Sequence, residues 1–145
     1  MIDDVTYRRV ANGSGSVGAQ FRHILDLVNC LLRGIAVARI DYSNRARDIR
    51  VETDRFFALE RARQLIASLS GLDQRLMAKS IVVRSEIDAN AWLPSAVARE
   101  VEFVHSHTVH HHALIAEKLA GFGIAVDAGL GVSPATTEYR RKLAA

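Results

Sequence analysis

Five of the six histidines in this chain fall between His105 and His112, in the segment HSHTVHHH, and the sixth is His23. Imidazole is the commonest side-chain ligand of transition metals, and histidines four apart on a helix project from one face, one turn apart. His107 and His111 have this spacing. Helical bundles build metal sites from facing side chains of different helices. The pattern indicates a metal site, although a single His111 hydrogen-bonded within the core would be the alternative.

Amphipathic periodicity predicts the helices that position these rings. Three segments carry it, at about residues 16–33, 52–69 and 95–120. His23 lies beside the apolar stripe of the first segment, which Gly34 is expected to end. Ser95 is expected to cap the third, in which His111 falls inside the apolar stripe. His105 and His112 point away from that stripe, so we expect them to be solvated.

The remaining segments are predicted to be largely irregular. Residues 35–51 are too polar for a core helix and long enough to return the chain along a bundle. Residues 72–93 read as a loop in which Ile81, Val82 and Val83 could form a strand of a hairpin. The C-terminal tail, with Gly129, Gly131 and Pro134, also reads as a loop. The sequence therefore predicts an all-α fold.

Composition limits the class of protein. A chain of 145 residues with 49% hydrophobic and 24% charged residues fits one globular domain spanning residues 1–145. It has neither an apolar run long enough for a membrane span nor a signal-peptide pattern. The single cysteine suits a reducing cytoplasm. A net charge of +3 and 6% aromatic residues argue against nucleic-acid binding, so we expect neither a nucleic acid nor a membrane as partner.

Several motifs together resemble one family. The segments SVGAQFRHILDL, IDYSNRARD, VETD, VEFVHSHTVHHHALIA and GVSPATTEY keep the order found in the DinB-like superfamily, and the match runs from about Ser14 to Tyr139. They look most like a small uncharacterised bacterial branch with a His-Thr-Val-His-His core. The resemblance implies a four-helix bundle with a long crossover. It also implies a divalent metal held by His23, His107 and His111. Zinc, nickel and iron(II) all accept imidazole; zinc or nickel is the first expectation and iron(II) the next, but the sequence does not select among them.

Two departures from the family pattern matter. Only residues 1–12 precede Gly13, so the first bundle helix is expected to be short or truncated. Its loss would uncover apolar surface that a second subunit could cover, which predicts a homodimer. Gln20 stands where relatives often carry a further histidine, and the sequence gives it no clear role.

Three neutral imidazoles would leave a bound metal with its full charge and an open position, as in catalytic zinc sites. The resemblance implies a metal-dependent thiol S-transferase or hydrolase acting on a small molecule. Asp26 is expected to orient His23, and His110 to support or gate the site. Glu52 and Asp48 are weaker candidates for a base or a substrate contact. The alternative is a non-catalytic, metal-stabilised dimeric module. Since protons compete for imidazole, metal binding should weaken below about pH 6.5.

Overall fold

The structure is a computed structural model that describes residues 2–10 and 15–144. Its elements in chain order are α1 (Asp4–Arg8), α2 (Val17–Val37), β1 (Arg39–Ile40), α3 (Ile49–Thr53), α4 (Arg55–Ser70), α5 (Gln74–Met77), β2 (Ser80–Arg84), β3 (Trp92–Ala96), α6 (Val97–Gly121) and α7 (Pro134–Leu143). Within the described ranges, no helix combines the length and apolar character that a bilayer crossing requires.

Helix α2 is the centre of the molecule. The Ser16 side chain caps it by accepting a hydrogen bond from the Ala19 amide at 3.0 Å. Its apolar stripe packs against α3, α4 and α6. The largest fully buried side chains come from α2, β1 and α6, and they are Val17, Leu31, Ile40 and Val97. This shared core fixes α6 against α2 and so sets the distance between their histidines.

The prediction of an all-α bundle is wrong. Of the described residues, 62% are helical, but three strands among them form a mixed sheet, so the fold is mixed α/β. β2 and β3 form an antiparallel hairpin in which Val82 lies opposite Pro94, and β1 pairs in parallel with β2. Three successive β-branched residues, Ile81 to Val83, favour the strand over a helix. Pro94 has no amide hydrogen to donate, which suits β3 as the edge strand.

The crossover is more ordered than the sequence predicts. Helix α2 does not end at Gly34 but continues to Val37, and Ala38 ends it in a left-handed conformation with φ of 56°. Gly34 instead allows β1 to approach α2 closely. A Cβ there would overlap the Ile40 Cγ1 atom and lie 2.9 Å from the Arg39 carbonyl oxygen. The missing side chain therefore lets β1 pack directly on α2.

Two further predictions are wrong: that Ser95 caps a helix, and that the C-terminal tail is a loop. Ser95 lies in β3, and Ala96 is the residue that precedes α6. The Ser95 hydroxyl donates to Glu100 Oε1 at 2.6 Å rather than capping the helix. The tail contains α7, which Ser133 caps and Pro134 begins, a sequence pattern typical of a helix start.

The N-terminal segment contains the short helix α1, which spans five residues. Tyr7 anchors it by donating its hydroxyl to the Val51 carbonyl oxygen at 2.6 Å. Residues 1, 11 and 12 of the segment where a truncated first helix is expected lie outside the described residues, as do residues 13 and 14.

Candidate metal centre

The packing of α2 against α6 brings together the three histidines selected from the sequence. His23 lies in the second turn of α2, and His107 and His111 lie one turn apart on α6. Their ring centroids are 4.4 to 5.0 Å apart. All three side chains are partly buried. Rings separated by 84 positions in the chain therefore share one small volume.

The nitrogens themselves converge. The Nε2 atom of His107 lies 2.8 Å from that of His23 and 2.9 Å from that of His111. Each residue offers one ligand atom, and these three atoms all lie within 4.8 Å of one another. Two nitrogens that share an ion at about 2.1 Å can be at most about 4.2 Å apart, a condition that both short separations meet.

A hydrogen bond sets the tautomer of His111. Its Nδ1 atom lies 2.6 Å from Oε1 of Gln20, one turn before His23 on α2. The amide oxygen can only accept, so Nδ1 carries the proton and Nε2 of the neutral ring presents a lone pair to the cluster. Metal-binding histidines are commonly held in this way, with the other ring nitrogen donating to an oxygen.

The three rings cannot satisfy one another by hydrogen bonding alone. His107 Nε2 faces two nitrogens, and it carries either one proton or one lone pair. With the His111 Nε2 lone pair fixed by Gln20, any proton on His107 Nε2 is shared between two acceptors or leaves one partner unmatched. A cation accepts all three lone pairs at once, so the donor set fits a divalent metal.

The electrostatics keep these rings neutral. Burial lowers the pKa of His23 to about 4, and the charges of Arg45 and the neighbouring His107 act in the same direction. Burial and the adjacent histidines likewise lower the pKa of His111 to about 4. The pKa of His107 is also lowered, chiefly by burial. Neutral imidazole is the form that binds metals, so all three rings are available as ligands at neutral pH.

The other histidines lie outside the convergence. His110 is exposed, with its ring centroid 5.3 Å from that of His111 and 6.3 Å from that of His107. This position flanks the site, where a supporting role was expected. His105 is exposed as expected, but His112 is partly buried, and burial lowers its pKa. Both line an apolar groove on another side of α6.

The candidate carboxylates do not belong to the group of converging ligand atoms, and Asp26 is the first of them. Asp26 is only 7% exposed, and burial raises its pKa while the backbone amides of Arg47 and Asp48 oppose that change. Among the described residues, no hydrogen bond joins it to His23, so the expected orienting contact is not formed. Asp26 instead lies beneath the segment that connects β1 to α3.

The two candidates for a base are tied to arginines. Asp48 caps α3 and accepts two hydrogen bonds from the Arg50 guanidinium, at 3.1 and 2.8 Å. Glu52 forms an ion pair with Arg22, with Oε2 3.3 Å from Nε. Arg22 directly precedes His23 in the chain, so this ion pair lies on the part of α2 that carries His23.

Gln20 is the site residue to which the sequence assigned no role. The sequence does contain one indication of a role at the site, because residues 20 and 23 are three apart and lie on one side of a helix. Its partner His111 is 91 positions away, however, and no local pattern shows that contact.

Comparison with known proteins establishes no family for this chain. No family model matches it, and no solved structure matches it. One curated protein is similar, the FK506-binding protein 5 of Rhizopus delemar, at 26% identity over 110 residues. The alignment covers 73% of this chain but only 29% of that relative. The resemblance is too low to assign either a family or an activity.

Proposed function

We propose that this protein is a metal-dependent enzyme that binds a divalent metal through His23, His107 and His111. The observation that carries the proposal is the convergence of the three Nε2 atoms. That of His107 lies 2.8 Å from that of His23 and 2.9 Å from that of His111. The lowered pKa values of the rings and the hydrogen bond from His111 to Gln20 support it. Zinc or nickel suits neutral imidazoles best, and iron(II) is the next candidate.

We propose a relation to the DinB-like superfamily on the order of its motifs along the chain. The positions of His23 on α2 and of His107 and His111 on α6 agree with the ligand pattern that the resemblance implies. The mixed sheet departs from a purely helical bundle. The relation therefore rests on the motifs and the histidines, not on the overall architecture.

The reaction type that we propose is thiol S-transfer or hydrolysis of a small molecule. A metal held by three neutral imidazoles supplies a Lewis acid with an open position that activates water or a thiol. The chain's part is to hold the ligands neutral and to orient His111 through Gln20. Of the two carboxylates, we retain Glu52 as a base or substrate contact and interpret Asp48 as a helix cap.

A non-catalytic module is the second candidate. It is favoured by one observation: both candidate bases are engaged with arginines, and the converging group contains no carboxylate. Assays for thiol conjugation and ester hydrolysis, with and without a chelator, separate the two. Chelator-sensitive turnover supports an enzyme, whereas background rates in both conditions, with a loss of stability on chelation, support the module.

We also propose a cytoplasmic homodimer. Side chains of α2, α4 and α6, among them Phe21, Val28, Leu65, Ile66, Leu69 and Val104, line the apolar groove, whose volume is about 570 Å³. Ile66 lines the groove and is 61% exposed, and Phe56 and Leu59 are also exposed on α4. Because α4 offers both a wall of the groove and projecting apolar side chains, a second copy related by a two-fold axis can fill it reciprocally.

Metal content tests the proposed function. Protein purified without a histidine tag is analysed for metals and then titrated with Co²⁺ after chelator treatment. We expect about one equivalent in the wild type and strongly weakened binding in His107→Ala. His105→Ala, on the same helix but outside the cluster, is the matched control and should bind normally. Equal Co²⁺ affinity in His107→Ala and wild type would remove these ligands from the assignment.

A further inference from the structure

The segment between β1 and α3, residues 41–48, is anchored beside the metal centre. The Cys30 thiol on α2 donates to the Asp41 carbonyl oxygen at 3.0 Å. Tyr42 is buried and donates its hydroxyl to Glu100 Oε2 on α6 at 3.0 Å. Its ring centroid lies 5.2 Å from that of Phe103. The segment is thus attached to both helices that carry the histidines.

Aromatic contacts lead from this segment to the cluster. The Phe103 ring centroid lies 5.9 Å from that of His107, one turn later on α6. Three residues after Tyr42, Arg45 occupies the middle of the segment and is partly buried. Tyr42 holds one end of the segment on α6, and the backbone amides of Arg47 and Asp48 hydrogen-bond to Asp26, three residues after His23 on α2. Arg45 therefore lies between contacts to the two helices that carry the rings.

Arg45 differs from three arginines near the site whose side chains pair with carboxylates. Arg22 pairs with Glu52, Arg50 with Asp48, and Arg84 with Asp41. Arg45 forms neither a hydrogen bond nor an ion pair with any residue in the described ranges. A partly buried guanidinium without such a partner favours binding of an anion.

The charge of Arg45 reaches all three ligands. It lowers the pKa of His23, of His107 and of His111, which agrees with a position of Arg45 between the contacts of the segment with α6 and with α2. Of the described acidic groups around this region, only Glu86 opposes this field at one of the three ligands. Asp26 is buried under the segment and is influenced by Arg22 more than by Arg45, and Glu86 is exposed and acts on His107 alone among the three ligands.

We propose that Arg45 binds the carboxylate of a small-molecule substrate while the reacting group of that substrate occupies the metal centre. A guanidinium binds a carboxylate through two parallel N–H donors, which both positions and selects it. One arginine suits a singly charged carboxylate better than a phosphate, which proteins usually bind with several donors or a helix N-terminus. This inference rests on the proposed metal function and adds the substrate class.

The test uses Co²⁺-loaded protein, with mercaptoacetate as the anionic probe and 2-mercaptoethanol as the neutral probe. The thiol of each probe binds the cobalt, whose visible spectrum reports the binding, and only mercaptoacetate has a carboxylate for Arg45. We expect R45Q to weaken mercaptoacetate binding about tenfold, or about 1.4 kcal/mol, and to leave 2-mercaptoethanol binding unchanged. R45K should recover part of the loss, since it restores the charge but not the paired donors. R47Q, two positions away at an exposed residue, is the matched control.

The possible outcomes separate the inference from the function on which it rests. Equal mercaptoacetate affinity in R45Q and wild type, with normal Co²⁺ binding, overturns the role of Arg45 and leaves the metal centre intact. Equal weakening of both probes, or loss of Co²⁺ binding in R45Q alone, shows a structural role and also overturns it. Failure of the wild type to bind Co²⁺ overturns the proposed function and the inference together.

Discussion

The hydrogen bond between Gln20 and His111 decides which ring nitrogen can act as a ligand. The spacing of His107 and His111 singled out these two rings, because helical periodicity places residues four apart on one face, and the resemblance in motif order added His23. Gln20 and Arg45 could not be found in that way. Their contacts depend on how distant segments pack, and the pattern of a single segment does not contain that information.

Gln20→Leu removes the acceptor that holds the His111 tautomer. We expect zinc affinity to fall by about 10- to 100-fold, as is typical when a residue that orients a ligand is lost. Competition with a chromophoric chelator measures it. Gln64→Leu changes an exposed glutamine of α4 and is the control. An unchanged affinity in Gln20→Leu would show that the ring is oriented without this bond.

The depressed pKa values predict a pH dependence for the metal-free protein. His23 and His111 titrate at about 4 when folded, against 6.5 ordinarily. Above pH 6.5 the two rings are neutral in both the folded and the unfolded protein, so they add no pH dependence to the free energy of unfolding. Between pH 6.5 and 4 the unfolded chain binds protons that the folded chain does not, so stability falls as pH falls through this window and the penalty is constant below it.

Urea unfolding of chelator-treated protein at pH 7, 5.5 and 4.5 measures this dependence. A double variant, His23→Gln with His111→Gln, should lose less stability over the same range, while carboxylate effects remain common to both proteins. Parallel losses in the two proteins would contradict the low folded pKa values. The same shifts move the loss of metal binding to a lower pH than the value of about 6.5 expected from free imidazole.

Among the elements, the long helices were predictable and the sheet was not. The apolar stripes of α2, α4 and α6 repeat often enough to identify each helix, although their ends shift. The strand β1 has only two residues, and its parallel pairing with β2 joins segments more than forty positions apart. Local periodicity carries no information about such a pairing, and so the fold class was mistaken.

Gly34→Ala tests how α2 carries β1. An added Cβ would overlap Ile40 Cγ1, so we expect a loss of about 1–3 kcal/mol in the free energy of unfolding, as for overpacked cores. Gly121→Ala is the control, because a Cβ there meets nothing within 4 Å and favours the end of α6. Denaturant unfolding of the two variants compares them. Equal stabilities would mean that β1 does not pack on α2 as described.

At the scale of the whole molecule, the open side of α2 and α4 bears on assembly. A stable dimer buries about 800 Å² on each partner, and the apolar groove with its exposed rim provides a continuous surface for such a contact.

Ile66→Glu places a charge on the wall of the apolar groove. We expect a dimer in the wild type and a monomer in this variant at micromolar concentration, since burying an unpaired carboxylate is costly. Analytical ultracentrifugation measures both. Ile87→Glu, at an exposed isoleucine outside the groove, should remain dimeric. A monomeric wild type would contradict the proposed assembly without affecting the metal centre.

X-ray absorption spectroscopy of the zinc-loaded, untagged protein tests the central claim most directly. The account predicts three imidazole nitrogens at about 2.0–2.1 Å, with the multiple scattering typical of histidine rings and one lighter ligand completing the shell. His107→Ala should remove one imidazole from this shell. A shell of oxygens or sulfurs with fewer than two imidazoles would contradict a metal centre built from His23, His107 and His111.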